Sequence, residues 1–249
     1  VSIATPCLLQ DHKNIFDLLT KNNLEYNFFN HQELSLSSPN NNFFATIDAN
    51  IRFKNFKLAV ENPHSNILWC IRGGYGSADI LPFLSQMPKP KTKKILIGFS
   101  DIVSVATFVQ QNWGWKVICA PMLAQILKNK VSVQSQQLIF DLINEKIDEL
   151  NYDLKLLKGT PSLVESEIVG GCVSVLAGNY ATKNQLNWRN KILFLEDEGE
   201  DGERLERYFR QIVDVMIEQK NYPQAILLGN FLEANPHGTP KAKNIQMAI

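Results

Sequence analysis

Ser100 is the residue whose position best suits covalent chemistry. Residues 95–97 form a short apolar run of the kind that makes a buried parallel strand, and Gly98 ends it. Residues 102–109 then carry the apolar spacing of a helix with one buried face. A tight turn between the two exposes the Ser100 hydroxyl beside unpaired helical N–H groups, which suits a nucleophile in acyl transfer. The alternative interpretation is that Ser100 or Asp101 simply caps the helix.

A glycine-rich turn follows a second buried-strand pattern at 67–71. Its sequence is RGGYG, and Gly73 and Gly74 allow the backbone to approach a ligand and to direct N–H groups at it. The turn lacks a phosphate-loop lysine, so it does not indicate a nucleotide site. Because ligands bind at the carboxyl ends of parallel strands, we expect this turn and the Ser100 turn to face one pocket.

Three ordered motifs resemble the serine LD-carboxypeptidases, the family that includes muramoyltetrapeptide carboxypeptidase and the microcin C immunity peptidases. They are RGGYGSADILP at 72–82, IGFSD at 97–101 and LFLEDEGE at 193–200. The resemblance extends to about Phe231. It implies a serine peptidase with a Ser-Glu-His triad that needs neither a metal nor another cofactor.

The resemblance assigns the nucleophile to Ser100 and the triad carboxylate to Glu196, which follows the apolar run 191–195 at a strand end. The oxyanion hole would combine the backbone N–H of Asp101 with one from Gly73 or Gly74. The alternative for Glu196 is that it is one of the acidic residues of a solvated turn.

Arg72 and Tyr75 would contact the substrate, Arg72 through a substrate carboxylate, although an arginine at a strand end can equally be structural. Cys172 stands where the family usually has asparagine, and the turn at Cys119 and Ala120 also departs from the family pattern.

The triad histidine is the missing part of the pattern. His12, His31 and His64 lie in polar surroundings typical of surface residues. His237 follows Glu196 in the right chain order, but its surroundings do not match the family's Gly-His segment. We therefore expect the histidine to lie beyond Ile249, with His237 as the competing candidate.

Alternating strand and helix patterns predict an α/β protein with a parallel, flavodoxin-like N-terminal sheet. Lysines, a glycine and a proline change the character of the chain over 151–162. We place the domain boundary there, giving an N-terminal domain over 1–155 and a smaller α+β domain over 156–249.

The composition is that of a globular protein, with 45% hydrophobic and 20% charged residues. Its 25 basic and 25 acidic residues balance, which argues against nucleic acid or an anionic membrane as a partner. No apolar run approaches the length of a membrane span. The four cysteines form no C-x-x-C pair and indicate reduced thiols in a cytoplasmic protein.

The function predicted from these features is release of the terminal D-alanine from a murein-derived tetrapeptide in peptidoglycan recycling, by a protein expected to be a homodimer. Three alternatives stay open. One is a microcin C-type immunity peptidase that cleaves a peptidyl or aminoacyl nucleotide, and another is a non-catalytic peptide-binding relative. The third is a glutaminase-like enzyme with a cysteine nucleophile, although no cysteine lies on the tight strand-to-helix turn at Ser100, the elbow.

Overall fold

The fold contains two parallel three-stranded sheets, each packed against helices. The structure is a computed structural model that describes residues 1–5, 9–28 and 47–232. The first sheet has the order β1-β2-β3 and the second the order β4-β5-β6, and all neighbouring strands are parallel. The strands are β1 Ile67–Trp69, β2 Ile95–Ile97, β3 Lys116–Ile118, β4 Ile168–Cys172, β5 Ile192–Glu198 and β6 Ala225–Leu232.

Helices precede and connect these strands. They are α1 Leu9–Lys21, α2 Ala49–Glu61, α3 Leu81–Leu84, α4 Val103–Phe108, α5 Leu123–Leu127, α6 Val133–Ile143, α7 Val173–Ala177 and α8 Gly202–Glu218. Short 3-10 turns at Ser77–Ile80 and Ser100–Ile102 lead into α3 and α4, and α4 ends in a π-helical turn at Val109–Trp113. Gly114, at φ 68°, closes that turn in the left-handed conformation that favours glycine.

The first sheet has β2 at its centre because its apolar residues are covered on both faces. Leu96 points into the core that includes Phe56 and Val105, whereas Ile97 packs with Ile15 and Phe140 on the opposite face. Parallel strands buried on both faces read as continuous apolar runs, which is the pattern of this strand.

The first five residues run beside β1 without forming a regular strand. The amino group of Val1 donates to the Trp69 carbonyl over 2.7 Å, and the Ile71 N–H donates to the Val1 carbonyl over 2.9 Å. The sequence pattern favours a first strand at 1–5, whereas this segment joins the edge of the sheet through these two hydrogen bonds without regular strand structure.

The second sheet encloses its own core, which includes Leu193, Leu195 and Trp188. Its strands alternate with α7 and α8 and pair in parallel, so this half is α/β in arrangement where the sequence indicates a smaller α+β unit. The prediction of an α/β protein with a parallel N-terminal sheet is confirmed.

Residues 144–167 carry no helix or strand and join the two halves. The sequence also favours a turn at 6–7, a short strand that includes Phe29 and a polar loop at 39–42. These positions lie outside the described residues, as do His31 and His237. None of the helices described here is long and apolar enough to cross a bilayer.

Candidate active site at the carboxyl ends of the two sheets

Ser100 occupies a strained strand-to-helix turn. Its φ is 61°, in the left-handed region, and the residue begins the 3-10 turn that leads into α4. A non-glycine residue pays of order 1 kcal/mol or more for this conformation, which other contacts must offset. Neither this turn nor α4 begins with a side-chain cap, so the capping interpretation is wrong for Ser100. The predicted strand, turn and helix are all present.

Gly73 lies directly against the Ser100 side chain. A Cβ atom built on Gly73 would stand 3.2 Å from Ser100 Oγ, 3.3 Å from Ser100 Cβ and 3.3 Å from Met122 Cε. A side chain at this position would press on Ser100 and Met122, so glycine is the residue that fits here without displacing them. The glycine-rich turn after β1 and the elbow after β2 therefore face one another, as expected from the parallel sheet.

Asp101 links these two turns through its carboxylate and its carbonyl. The Ser77 N–H donates to Asp101 Oδ2 over 2.7 Å, and the Ser77 hydroxyl donates to the Asp101 carbonyl. Burial raises the pKa of the Asp101 carboxyl, and hydrogen bonds from Ser77 and Gly76 and the charge of Arg52 oppose that rise. The Asp101 carboxylate thus stabilises the glycine-rich turn, and the backbone N–H of Asp101 directly follows Ser100 in the chain.

Arg52 is a residue of this region that the sequence analysis missed. It is 1% exposed on α2, and its guanidinium donates to the Ile3 carbonyl over 3.0 Å, to the Gly76 carbonyl and to Asp79 Oδ2 over 2.8 Å. Its Nε donates to the Ile47 carbonyl over 3.1 Å. The available signal was its position four residues before the buried Phe56, on the apolar face of α2.

Thr5 holds the glycine-rich turn from its other side. Its Oγ1 accepts from the Tyr75 N–H over 3.1 Å. Gly74 has φ 111°, and a Cβ there would stand 2.1 Å from Thr5 Oγ1. A side chain at this position would therefore strain the backbone and displace Thr5.

Glu196 lies near the end of β5 and is 9% exposed, so the solvated-turn interpretation is wrong for it. Among the described residues its Oε1 has no hydrogen-bond partner. Burial, followed by the charges of Asp197 and Glu198, raises the pKa of Glu196 from 4.5 to about 7. A buried carboxylate with a free oxygen is suited to accept a hydrogen bond from an imidazole.

The second sheet meets the elbow of the first sheet through β4 and α4. On β4, Gly171 approaches the helix that follows Ser100, since a Cβ there would stand 2.6 Å from Val103 Cγ2.

Cys172 lies opposite Glu196 in the register of β4 and β5, but its thiol forms a hydrogen bond with Asp197. Its thiol donates to Asp197 Oδ2 over 3.4 Å, and the same oxygen accepts from the Ser174 N–H over 2.8 Å. Burial and the charge of Asp197 raise the pKa of the Cys172 thiol to about 12. A thiol with so high a pKa is a poor nucleophile, so its contacts are those of packing.

The remaining predicted site residues are placed as follows. Arg72 is half-buried at the carboxyl end of β1, and Tyr75 is exposed. His12 is buried on α1, where burial lowers its pKa, so the prediction of a surface position is wrong for it. His64 lies before β1 at the opposite edge of the sheet. Neither described histidine therefore joins Ser100 and Glu196, and His237 lies outside the described residues.

Across the described ranges, no three His, Cys, Asp or Glu side chains are grouped so that they could hold a metal ion. A cavity of about 340 Å³ lies between β3 and the start of β4, lined by residues that include Trp115, Lys116 and Glu167. None of the predicted site residues lines it.

Comparison with known proteins finds two matching family domains. The description of the LD-carboxypeptidase N-terminal domain matches residues 1–120, and that of the LD-carboxypeptidase C-terminal domain matches residues 165–248. The murein tetrapeptide carboxypeptidase of Pseudomonas aeruginosa is 31% identical over 193 residues, which cover 73% of this chain and 61% of that protein.

A Rickettsia conorii protein whose name proposes a carboxypeptidase is 29% identical over 235 residues, covering 93% of this chain and 73% of its own length. Among solved structures, an MccF-like protein from Bacillus anthracis str. Ames has a TM-score of 0.74 at 18% identity, covering 100% of this chain and 80% of that one. Two matched family domains, in the right order and together spanning both sheets, establish that this chain belongs to the LD-carboxypeptidase family of serine peptidases.

Proposed function

We propose that this protein is a serine LD-carboxypeptidase that releases the terminal D-alanine from a murein-derived tetrapeptide during peptidoglycan recycling. We propose further that it acts in the cytoplasm as a homodimer. The observation that carries the catalytic part is the close approach of Gly73 to Ser100, where an added Cβ would stand 3.2 Å from Ser100 Oγ. A strained serine with a glycine turn packed against it suits the geometry of a nucleophile elbow with an oxyanion hole.

In this mechanism, Ser100 Oγ attacks the carbonyl carbon of the terminal peptide bond while a histidine takes the hydroxyl proton. The developing oxyanion accepts hydrogen bonds from the Asp101 N–H and from Gly73 or Gly74. The histidine then protonates the leaving amine, and D-alanine departs. Water, deprotonated by the same histidine, cleaves the acyl-enzyme and restores Ser100.

Glu196 orients that histidine and stabilises its imidazolium. Burial and the free Oε1 support this role, because an ionised carboxylate in such a place gains most from a cationic partner. The proposed base is a histidine outside the described residues. Replacement of His237 by alanine is expected to change kcat less than about threefold, whereas a loss of the size of a triad deletion would identify His237 as the base.

The substrate class is proposed from the relatives. The Pseudomonas aeruginosa relative is named a murein tetrapeptide carboxypeptidase. Arg72 is suited to bind the C-terminal carboxylate of the substrate, because its cation lies at the carboxyl end of β1. Tyr75 presents an exposed ring on the same turn. The chain covers 73%, 60% and 61% of the lengths of the first three curated relatives.

The test is mass-spectrometric product analysis after incubation with murein tetrapeptide and with its counterpart ending in L-alanine. We expect loss of one D-alanine from the first peptide only, and no loss with Ser100→Ala. Release from both peptides would contradict the stereochemical assignment. If the protein binds the peptide but releases no alanine, and if a phosphonate probe does not label Ser100, the protein is a peptide-binding protein and not a peptidase.

A second candidate is cleavage of a peptidyl or aminoacyl nucleotide, as in microcin C immunity. The likeness of the fold to the MccF-like protein over the whole chain favours including it. Incubation with a glutamyl sulfamoyl nucleoside tests it directly. Hydrolysis of this compound in preference to the tetrapeptide would replace the first proposal.

A further inference from the structure

The two halves of the proposed oxyanion hole are joined by a buried hydrogen-bond network that ends at Arg52. One half is the glycine-rich turn after β1, and the other is the backbone at Asp101 after β2. Hydrogen bonds connect the halves, because Ser77 donates to Asp101 through both its N–H and its hydroxyl. A shift of the glycine-rich turn would therefore move Asp101 as well.

Arg52 fixes this network to the rest of the fold. Its guanidinium donates to the Gly76 carbonyl, which directly precedes Ser77, and also to Ile3 and Asp79. Its Nε donates to Ile47. One buried side chain thus ties α2 and the first residues of the chain to the glycine-rich turn.

The fork of the guanidinium is necessary for this arrangement. The four acceptors come from three segments of the chain, at residues 3, 47 and 76–79. A planar group with several fixed donors can meet them at once, whereas an ammonium group cannot. A Cβ on Gly76 would stand 2.9 Å from Arg52 Nη1, so the two residues are packed in contact. Gly76 also has φ 105°, a backbone conformation that residues with a β-carbon rarely adopt.

We propose that Arg52 is a positioning residue for the oxyanion hole, acting through Gly76, Ser77 and Asp101. The inference rests on the proposed peptidase function, because it gives the network a catalytic purpose. It assigns to a residue remote from the nucleophile the task of keeping two backbone N–H groups at a fixed separation. Misplacement of such donors by about 1 Å can cost on the order of 100-fold in rate.

The primary test is Arg52→Lys, which keeps the charge and removes the fork. We expect kcat for the tetrapeptide to fall roughly 10- to 100-fold while KM changes less than about threefold, since the donors act mainly in the transition state. Phosphonate labelling of Ser100 is expected to slow in parallel, because that reaction uses the same oxyanion donors. Amide hydrogen exchange at residues 73–77 is expected to become at least about tenfold faster.

Lys94→Met is the matched control. Lys94 is also a buried cation, 3% exposed, and its Nζ donates to the carbonyls of Asn62 and Ser65, but it lies at the amino end of β2. Its loss is expected to lower stability while kcat and exchange at 73–77 stay within about twofold of the parent. The control separates the general effect of disrupting a buried cation and its hydrogen bonds from the loss of this particular network.

Asp79→Asn provides a milder variant should Arg52→Lys fail to fold. It weakens one bond of the fork at a partly exposed position and is expected to reduce kcat about threefold with faster exchange at 73–77. Unchanged kcat and unchanged exchange in the folded variants would overturn the proposal. If the parent protein hydrolyses none of the peptides, the proposed function has failed, and hydrogen exchange alone then decides whether Arg52 holds the turn.

Discussion

Replacement of Glu196 by glutamine is expected to make the protein more resistant to unfolding at alkaline pH relative to the parent. Burial raises the pKa of this carboxyl from 4.5 to about 7. A carboxyl with a raised pKa in the folded state binds its proton more tightly there than in the unfolded chain. Its stabilising contribution is complete below about pH 4.5 and is lost as the pH rises through 7.

The size of the effect follows from these two values. A difference between 4.5 and 7 corresponds to about 3 kcal/mol when the whole range is crossed, and to about 2–3 kcal/mol between about pH 5 and about pH 8. The parent should lose this stability over that interval, whereas a glutamine at 196 does not ionise. A pH-dependent difference also cancels any constant cost of the new amide.

Urea unfolding of both proteins at about pH 5 and about pH 8 provides the measurement. Glu206→Gln is the control, because Glu206 is an exposed carboxylate on α8. Glu196→Gln should also severely reduce kcat, since an amide cannot stabilise an imidazolium. A stability difference that stays constant between the two pH values would refute the reasoning that Glu196 is desolvated.

Three further predictions concern the elbow and its neighbours. Ser100→Ala should reduce kcat by a factor of order 10⁴ to 10⁶ in a steady-state assay with an unchanged circular dichroism spectrum, and activity within tenfold of the parent would remove Ser100 from the mechanism. Gly73→Ala should lower kcat at least about tenfold, because the new Cβ would stand 3.2 Å from Ser100 Oγ, while urea unfolding changes by less than about 1 kcal/mol; a normal rate would show that no reacting group uses this space. Cys172→Ala should cost about 1–2 kcal/mol in unfolding free energy by removing the thiol bond to Asp197, with kcat within about threefold, and a hundredfold loss of rate would point to direct chemistry by Cys172.

The Ser100 elbow could be predicted because local periodicity carries it. A buried-strand run, a glycine and a helical repeat follow each other within 15 residues, from 95 to 109, and each is specified by its own sequence. The meeting of Gly73 with Ser100 followed from a general property of parallel sheets. The positive φ of Ser100 could not be read in the same way, since serine has no intrinsic preference for that conformation.

Arg52 escaped prediction because its partners are scattered along the chain. Its acceptors belong to residues 3, 47, 76 and 79, and no local pattern relates these positions. The parallel arrangement of the second sheet was missed for a different reason. A pair of glycines inside β4 resembles a turn in sequence, but a Cβ on Gly170 would stand 1.9 Å from the Phe194 carbonyl oxygen, so the glycine permits a close approach of two strands.

Val103 has a consequence for recombination within the family. It lies three residues after Ser100 in the first half of the chain, yet it packs in the second core with Val169, Cys172 and Val173. A chimera that joins the first half of one homologue to the second half of another would bring an unmatched side chain into that core, beside Gly171. Functional chimeras should therefore require that residue 103 and residues 169–173 come from the same homologue, although residues 144–167 separate them in the chain.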